Sequence, residues 1–191
     1  IVAIGGGFSY GALGFSHHAT EDLAILRAIP GMTVLAPCDN WEVRQLVPLL
    51  VETPGPAYLR LDKSPASDTH RPGEALVLGR MRRLRDGDDI TLMATGGILG
   101  SVARAAEELG AHGIGCRVLA VHAIKPLDTE AIVAAARETG GIVTIEEHGV
   151  DGGLGSAVAE ACLDAGAAPR IFRRVGLPSG FAAVGGSQDY L

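Results

Sequence analysis

The sequence predicts an α/β protein built on mostly parallel sheets. Short apolar runs alternate along it with stretches of helical periodicity, and 27 glycines stand against only four Phe, three Tyr and one Trp. Many tight turns between strands and helices produce such a pattern. Taken in order, Ile1-Val2-Ala3-Ile4 is apolar at consecutive positions, as in a strand. Thr20 to Ile29 reads as a helix closed by Pro30-Gly31, and Met32 to Leu35 as a strand that ends at Pro37. Asp39 and Glu42 have the spacing of a capping box and open a helix from about Asn40 to Val51. Ala57 to Leu61 is a strand after the Pro-rich passage Thr53-Pro54-Gly55-Pro56. Further on, Ile90 to Ala94 is a strand, followed by Gly96-Gly97 and a helix with Val102, Ala105, Ala106 and Leu109 on one face. Cys116 to Val121 is a short apolar run and Ile132 to Ala136 is helical by spacing. Ile142 to Ile145 is strand-like, and Ala157 to Leu163 is helical after Gly152-Gly153-Leu154-Gly155.

Residues 63 to 74 are polar and aperiodic, the composition of a linker. The expected organisation is therefore a first segment, 1–62, a linker, 63–74, and a second α/β segment, 75–191. The first segment has the makings of the later half of an α/β domain and is too small to bury a full core alone. The chain opens at Ile1 inside an apolar run and closes at Gly185 to Leu191 without a closing element, so both ends read as trimmed.

Charge and composition narrow the function classes. A net charge of −6 argues against nucleic acid or an anionic membrane as the main partner. No run approaches the roughly 18 apolar residues of a membrane helix, and no secretory signal is visible. Cys38, Cys116 and Cys162 lie far apart in no metal-ligand spacing, which makes a disulfide framework or zinc site improbable and a reducing cytosol the default.

The densest polar constellation is Ser16-His17-His18-Ala19-Thr20-Glu21-Asp22, between a Gly-rich loop and a helix. Adjacent histidines beside two carboxylates can transfer protons near neutrality. The competing reading has Glu21 and Asp22 serving the helix dipole while the histidines fill a loop. Gly5-Gly6-Gly7 lacks the flanking residues of a P-loop or dinucleotide fingerprint and reads as a flexible loop rather than a phosphate cradle. Gly152 to Ser156 could bind an anion at a helix start, although tight strand-to-helix packing explains it as well. Arg60 is either a solvated edge charge or an anion ligand at a strand's carboxyl end. Glu146-Glu147-His148 closes another strand, where alternation lets only one of the two carboxylates face a given site.

Over nearly its whole length the chain resembles the transketolase family. The resemblance rests on the run from Ser16-His17-His18-Ala19-Thr20-Glu21-Asp22 through Arg27-Ala28-Ile29-Pro30-Gly31-Met32-Thr33-Val34. It continues, in the family's order, through Pro37-Cys38-Asp39-Asn40 with Glu42, Gly55 to Leu61, and Lys125-Pro126-Leu127-Asp128. The later blocks are Thr144 to His148 with Gly152 to Ser156, and Gly186 to Leu191. The resemblance implies the end of a pyrimidine-binding domain followed by a transketolase C-terminal domain, such as a C-terminal subunit of a split transketolase carries. It further implies thiamine diphosphate and Mg²⁺, both held mainly by parts outside this chain. A diphosphate-binding domain or subunit is the implied partner, in a homodimer or a dimer of heterodimers. The implied reaction moves a two-carbon ketol unit from a ketose donor to an aldehyde acceptor. His17 then matches the family histidine at the substrate carbonyl, His18 counts with it among the substrate-binding residues, and Arg60 matches an arginine that binds a sugar phosphate. Two positions depart from the family. Gly5-Gly6 stand where a His-Asp pair is usual, and Leu13 stands where an Asp is usual. A modified donor, handled in a pathway-specific ketol transfer, fits those departures better than ordinary pentose phosphates. A deoxyxylulose-phosphate-synthase-like enzyme and a non-catalytic assembly subunit are the alternatives.

Overall fold

A computed structural model describes residues 1–63 and 67–191, so part of the expected linker, residues 64–66, lies outside the described residues. Two sheets make the frame. The first holds β1 (Val2–Ile4), β2 (Thr33–Leu35), β3 (Ala57–Leu61) and β7 (Ala123–Lys125), in the order β1-β3-β2-β7. The second holds β4 (Arg82–Arg85), β5 (Ile90–Thr95), β6 (Cys116–Ala120), β8 (Ile142–Gly149) and β9 (Phe172–Leu177), in the order β4-β6-β5-β8-β9. Every neighbouring pair is parallel except β2 with β7 and β4 with β6. The expected mostly parallel α/β fold is what forms.

The helices are α1 (Asp22–Ala28), α2 (Asn40–Glu52), α3 (Leu99–Ala111), α4 (Thr129–Glu138) and α5 (Leu154–Asp164). β6 is buried at every position, as expected of a central strand covered on both faces. Asp39 caps α2 by accepting the Glu42 N–H at 2.8 Å, as the spacing predicts. The Glu42 carboxylate reaches one residue further back than a capping box requires and accepts the Cys38 N–H at 2.6 Å. Lys125 Nζ donates to the Arg27 and Ile29 carbonyls at the end of α1, at 3.0 and 2.7 Å.

Three strands carry no clear signal in the sequence. β4 reads Arg82-Arg83-Leu84-Arg85, too charged to register as apolar, and β7 is only three residues long. β9 is an edge strand with Arg173, Arg174 and Val175 exposed. The two sheets also share one core. Leu23, Val34 and Tyr58 of the first segment pack in the same cluster as Met93, Leu119, Ile142 and Leu154 of the second. The residues read as a linker are tied down where they are described. The Thr69 N–H donates to Asp39 at 2.9 Å, His70 stacks on Trp41, and Glu74 pairs with Arg82.

The carboxyl ends of β3, β5 and β8 converge on a seam between the sheets. Gly97 N–H donates to Asp62 at 2.6 Å, and an Arg60 N–H to the Glu147 carbonyl at 2.9 Å. Parallel sheets place functional groups at this end of their strands.

Candidate active site

The loop from Gly5 to Ala19 leaves β1 and returns to α1, closed at its neck by bridges from Gly6 and Gly7 to Ala19. Gly5 has φ +101°, and a Cβ there would lie 2.3 Å from the Tyr10 ring. Gly5 is therefore required by the backbone, and a histidine in its place would need a different loop path. The space beside Gly6 is filled by Arg60 and that beside Gly7 by Glu147. The glycines serve close packing, not the flexibility expected of them and not an open phosphate cradle.

His17 ends a short 3₁₀ turn, Phe15–His17, and is exposed at the rim of the loop. Its Nδ1 lies 3.1 Å from Ser16 Oγ. His18 turns inward: its ring meets Phe8 edge-on at 4.8 Å, and its Nε2 donates to the Gly11 carbonyl at 3.2 Å. The neighbouring histidines thus divide the work, one presented to the outside and one holding the loop.

Arg60 lies underneath, only 3% exposed. It donates to the Ala19 and Glu147 carbonyls, both at 2.9 Å, and its Nε sits 3.2 Å from Asp22. Both carbonyl bonds come from Nη2 of the guanidinium. The structure places His17 and Arg60 on one loop system without bringing them to one surface.

Asp22, at the start of α1, also accepts from Tyr58 Oη at 2.6 Å and lies 3.9 Å from His148 Nε2. Burial pushes the Tyr58 hydroxyl's pKa up, and its bond to Asp22 adds to that. The same strand alternation that separates the two glutamates puts Glu146 and His148 on the buried face of β8. Burial lowers the pKa of the His148 ring from its ordinary value. Glu146 accepts the Leu154 and Gly155 N–H groups at 2.6 and 2.8 Å, so the anion at the α5 N-terminus is the chain's own carboxylate. Burial raises the Glu146 pKa against those two bonds. Glu147, on the other face, accepts from Phe8 N–H and from Gln188 Nε2. Tyr58 and Gln188 carried no chemical signal of their own in the sequence. The strand period was the available clue to the separate duties of Glu146 and Glu147.

The described residues do not fit a metal–diphosphate group. They hold no cluster of three or more His, Cys, Asp or Glu able to take a metal ion, and both Gly-rich turns are filled by the chain's own side chains. What this geometry can supply is a polar, presented histidine on a loop whose neck is rigidly held.

Comparison with known proteins identifies the class. Residues 1–67 match the transketolase pyrimidine-binding domain and residues 79–185 the transketolase C-terminal domain. This chain belongs to the transketolase family. More particularly, it is 40% identical over 190 residues to one subunit of the apulose-4-phosphate transketolase of Phocaeicola vulgatus, covering 99% of this chain and 60% of that one. It is 44% identical over 178 residues to a 6-deoxy-6-sulfo-D-fructose transketolase subunit of a Clostridium species, covering 93% of this chain and 54% of that one. Among solved structures, a split-gene transketolase described as an inactive beta4 tetramer superposes with a TM-score of 0.83 at 38% identity, covering 94% of this chain and 57% of that one. The chain thus spans little more than half the length of these relatives.

Proposed function

We propose that this chain is the C-terminal part of a transketolase-like transferase, a subunit of a split enzyme that moves a two-carbon ketol unit from a ketose donor to an aldehyde acceptor. The observation that carries this reading is His17, presented on a loop held at its neck by Arg60 and the Ala19 bridges. In this role His17 binds a donor oxygen and moves a proton at the reacting carbonyl or hydroxyl, as a general acid–base at near-neutral pH. Thiamine diphosphate and Mg²⁺ would be held by a diphosphate-binding companion. Arg60 in this reading frames the loop through its contacts to the Ala19 and Glu147 carbonyls. Residues 1–62 and 75–191 would correspond to the end of the pyrimidine-binding domain and the C-terminal domain, working in a dimer of such pairs in the cytosol.

The donor is proposed to be a modified sugar. Gly5 has no room for a histidine, and Leu13 presents an apolar side chain, 58% exposed, where an aspartate would bind a hydroxyl. The relatives named for apulose 4-phosphate and 6-deoxy-6-sulfo-D-fructose support that reading. The test offers xylulose 5-phosphate, hydroxypyruvate, pyruvate and a 6-sulfo ketose to the full-length chain assembled with its companion, with and without thiamine diphosphate. Cofactor-dependent ketol transfer, preferring the modified donor, is expected. Pyruvate consumption with an aldehyde acceptor would instead mark a deoxyxylulose-phosphate-synthase-like enzyme, an arm justified by a relative of that name at 36% identity over 97% of this chain. Failure with every donor would leave an assembly subunit.

A further inference from the structure

The C-terminal tail does not hang free beside the candidate site. Gly186 N–H donates to the Gly11 carbonyl at 3.1 Å, and a Cβ at Gly11 would lie 2.6 Å from the Gly186 oxygen. Phe181 packs on Phe15, ring centroids 5.7 Å apart. At the end of this segment the Gln188 carboxamide donates to both Glu147 oxygens, at 3.0 and 2.8 Å. The Glu147 carboxylate in turn accepts the Phe8 N–H, and the Phe8 ring meets His18, the neighbour of His17. An unbroken set of contacts therefore runs from Gln188 through Glu147, Phe8 and His18 to His17.

We propose that Glu147 and Gln188 form a latch that positions the His17 loop, both acting as positioning residues that touch no substrate. The inference rests on the proposed role of His17. Glu147 sits at the end of β8 in the second sheet and Gln188 in the last turn of the chain, so the latch fastens the Gly-rich loop of the first segment to two separate parts of the second. A loop carrying a proton-transfer group needs such fixation, because a misplacement of about 1 Å can lower a rate by roughly a hundredfold. The acceptor–donor polarity is specific: a carboxylate facing a carboxamide bonds, whereas two carboxylates in the same place repel.

The polarity makes the latch testable by exchange. In the full-length chain within its complex, Gln188→Ala is expected to speed hydrogen exchange at the amides of residues 8–18, and Gln188→Glu to speed it further. The donor kcat/KM is expected to fall by about tenfold or more as the histidine wanders, with the thermal midpoint unchanged. The double variant Glu147→Gln with Gln188→Glu restores both readouts, because the residue 147 amide then donates to the residue 188 carboxylate while its carbonyl keeps Phe8 N–H. Unchanged loop exchange in both single variants overturns the latch, as does failure of the double variant to rescue. Faster loop exchange with undiminished kcat/KM in a working enzyme overturns the positioning role. If the wild-type complex transfers no ketol unit at all, the proposed function fails, and the exchange data still decide whether the latch exists.

Discussion

At the residue scale, Ser16 Oγ engages the Nδ1 side of His17, which leaves Nε2 for an incoming group. His17→Ala is expected to reduce the donor kcat/KM of the assembled enzyme by about 10²- to 10⁴-fold, the usual reach of general acid–base catalysis. Its unfolding midpoint should not move, since the side chain is exposed and packs on nothing buried. Equal activity in the two proteins would remove His17 from the chemistry. His122 is a different kind of histidine. It is fully buried, and burial together with the charge of Arg82 lowers its pKa from 6.5 to about 4. Because the unfolded chain takes up that proton first, His122 favours the fold fully above pH 6.5 and loses the contribution as pH falls towards 4. The difference corresponds to roughly 3 kcal/mol. Urea unfolding at pH 7 and pH 5 should show the wild type losing more stability on acidification than His122→Gln, and parallel losses would refute the assignment.

At the scale of elements, two helix starts are held by buried side chains of the chain itself. Glu146 bonds the first N–H groups of α5, so Glu146→Ala leaves two buried donors without an acceptor. The expected destabilisation is about 1–3 kcal/mol, read from denaturant midpoints. Asp128 does the same for α4, accepting the Ala131 N–H at 3.1 Å, which gives the Lys125-Pro126-Leu127-Asp128 block a structural duty. The loop neck is more demanding. Gly7 has φ +62°, and a Cβ there would meet Glu147 Oε1 at 2.4 Å. Gly7→Ala should therefore push Glu147 away from Gln188 and reproduce the kinetic defect of Gln188→Ala with every tail residue unchanged. Normal kcat/KM in Gly7→Ala would argue that the loop tolerates displacement at this point.

Across the whole molecule, Arg82 joins elements that lie far apart in sequence. It lies on β4, bonds Glu42 of α2 and Glu74 each at 2.8 Å, and covers Trp41 at 4.6 Å. Burial acts to lower its pKa, but the bonds to those carboxylates outweigh it and hold the guanidinium charged, well above the usual value. Arg82→Met would strand Glu42 and Asp39 in the interior without their cation, and such loss of one partner costs about 3–5 kcal/mol. Because one core cluster spans both sheets, the unfolding should stay a single transition with a lower urea midpoint. Two separated transitions in the wild type would show instead that the segments unfold independently. Phe15, Phe181 and Tyr190, from the loop and the tail, are large apolar side chains that stay exposed.

The amino-acid order by itself determined the helices, the central strands and the histidine loop. Periodicity, capping spacing and the ordered family blocks are local properties, readable without neighbours. Glu146 and Glu147 were separable because a strand alternates its faces every residue. What only the tertiary structure decided was how charged groups were spent. Arg60 looked free in sequence, yet the folded seam hands it two carbonyls and a carboxylate. Strands β4, β7 and β9 exist because a neighbouring strand offers them hydrogen bonds, which no local pattern of Arg82-Arg83-Leu84-Arg85 announces. The Glu147–Gln188 contact bridges 41 positions along the chain and depends on the tail folding back over the loop, a long-range closure that composition and spacing do not encode.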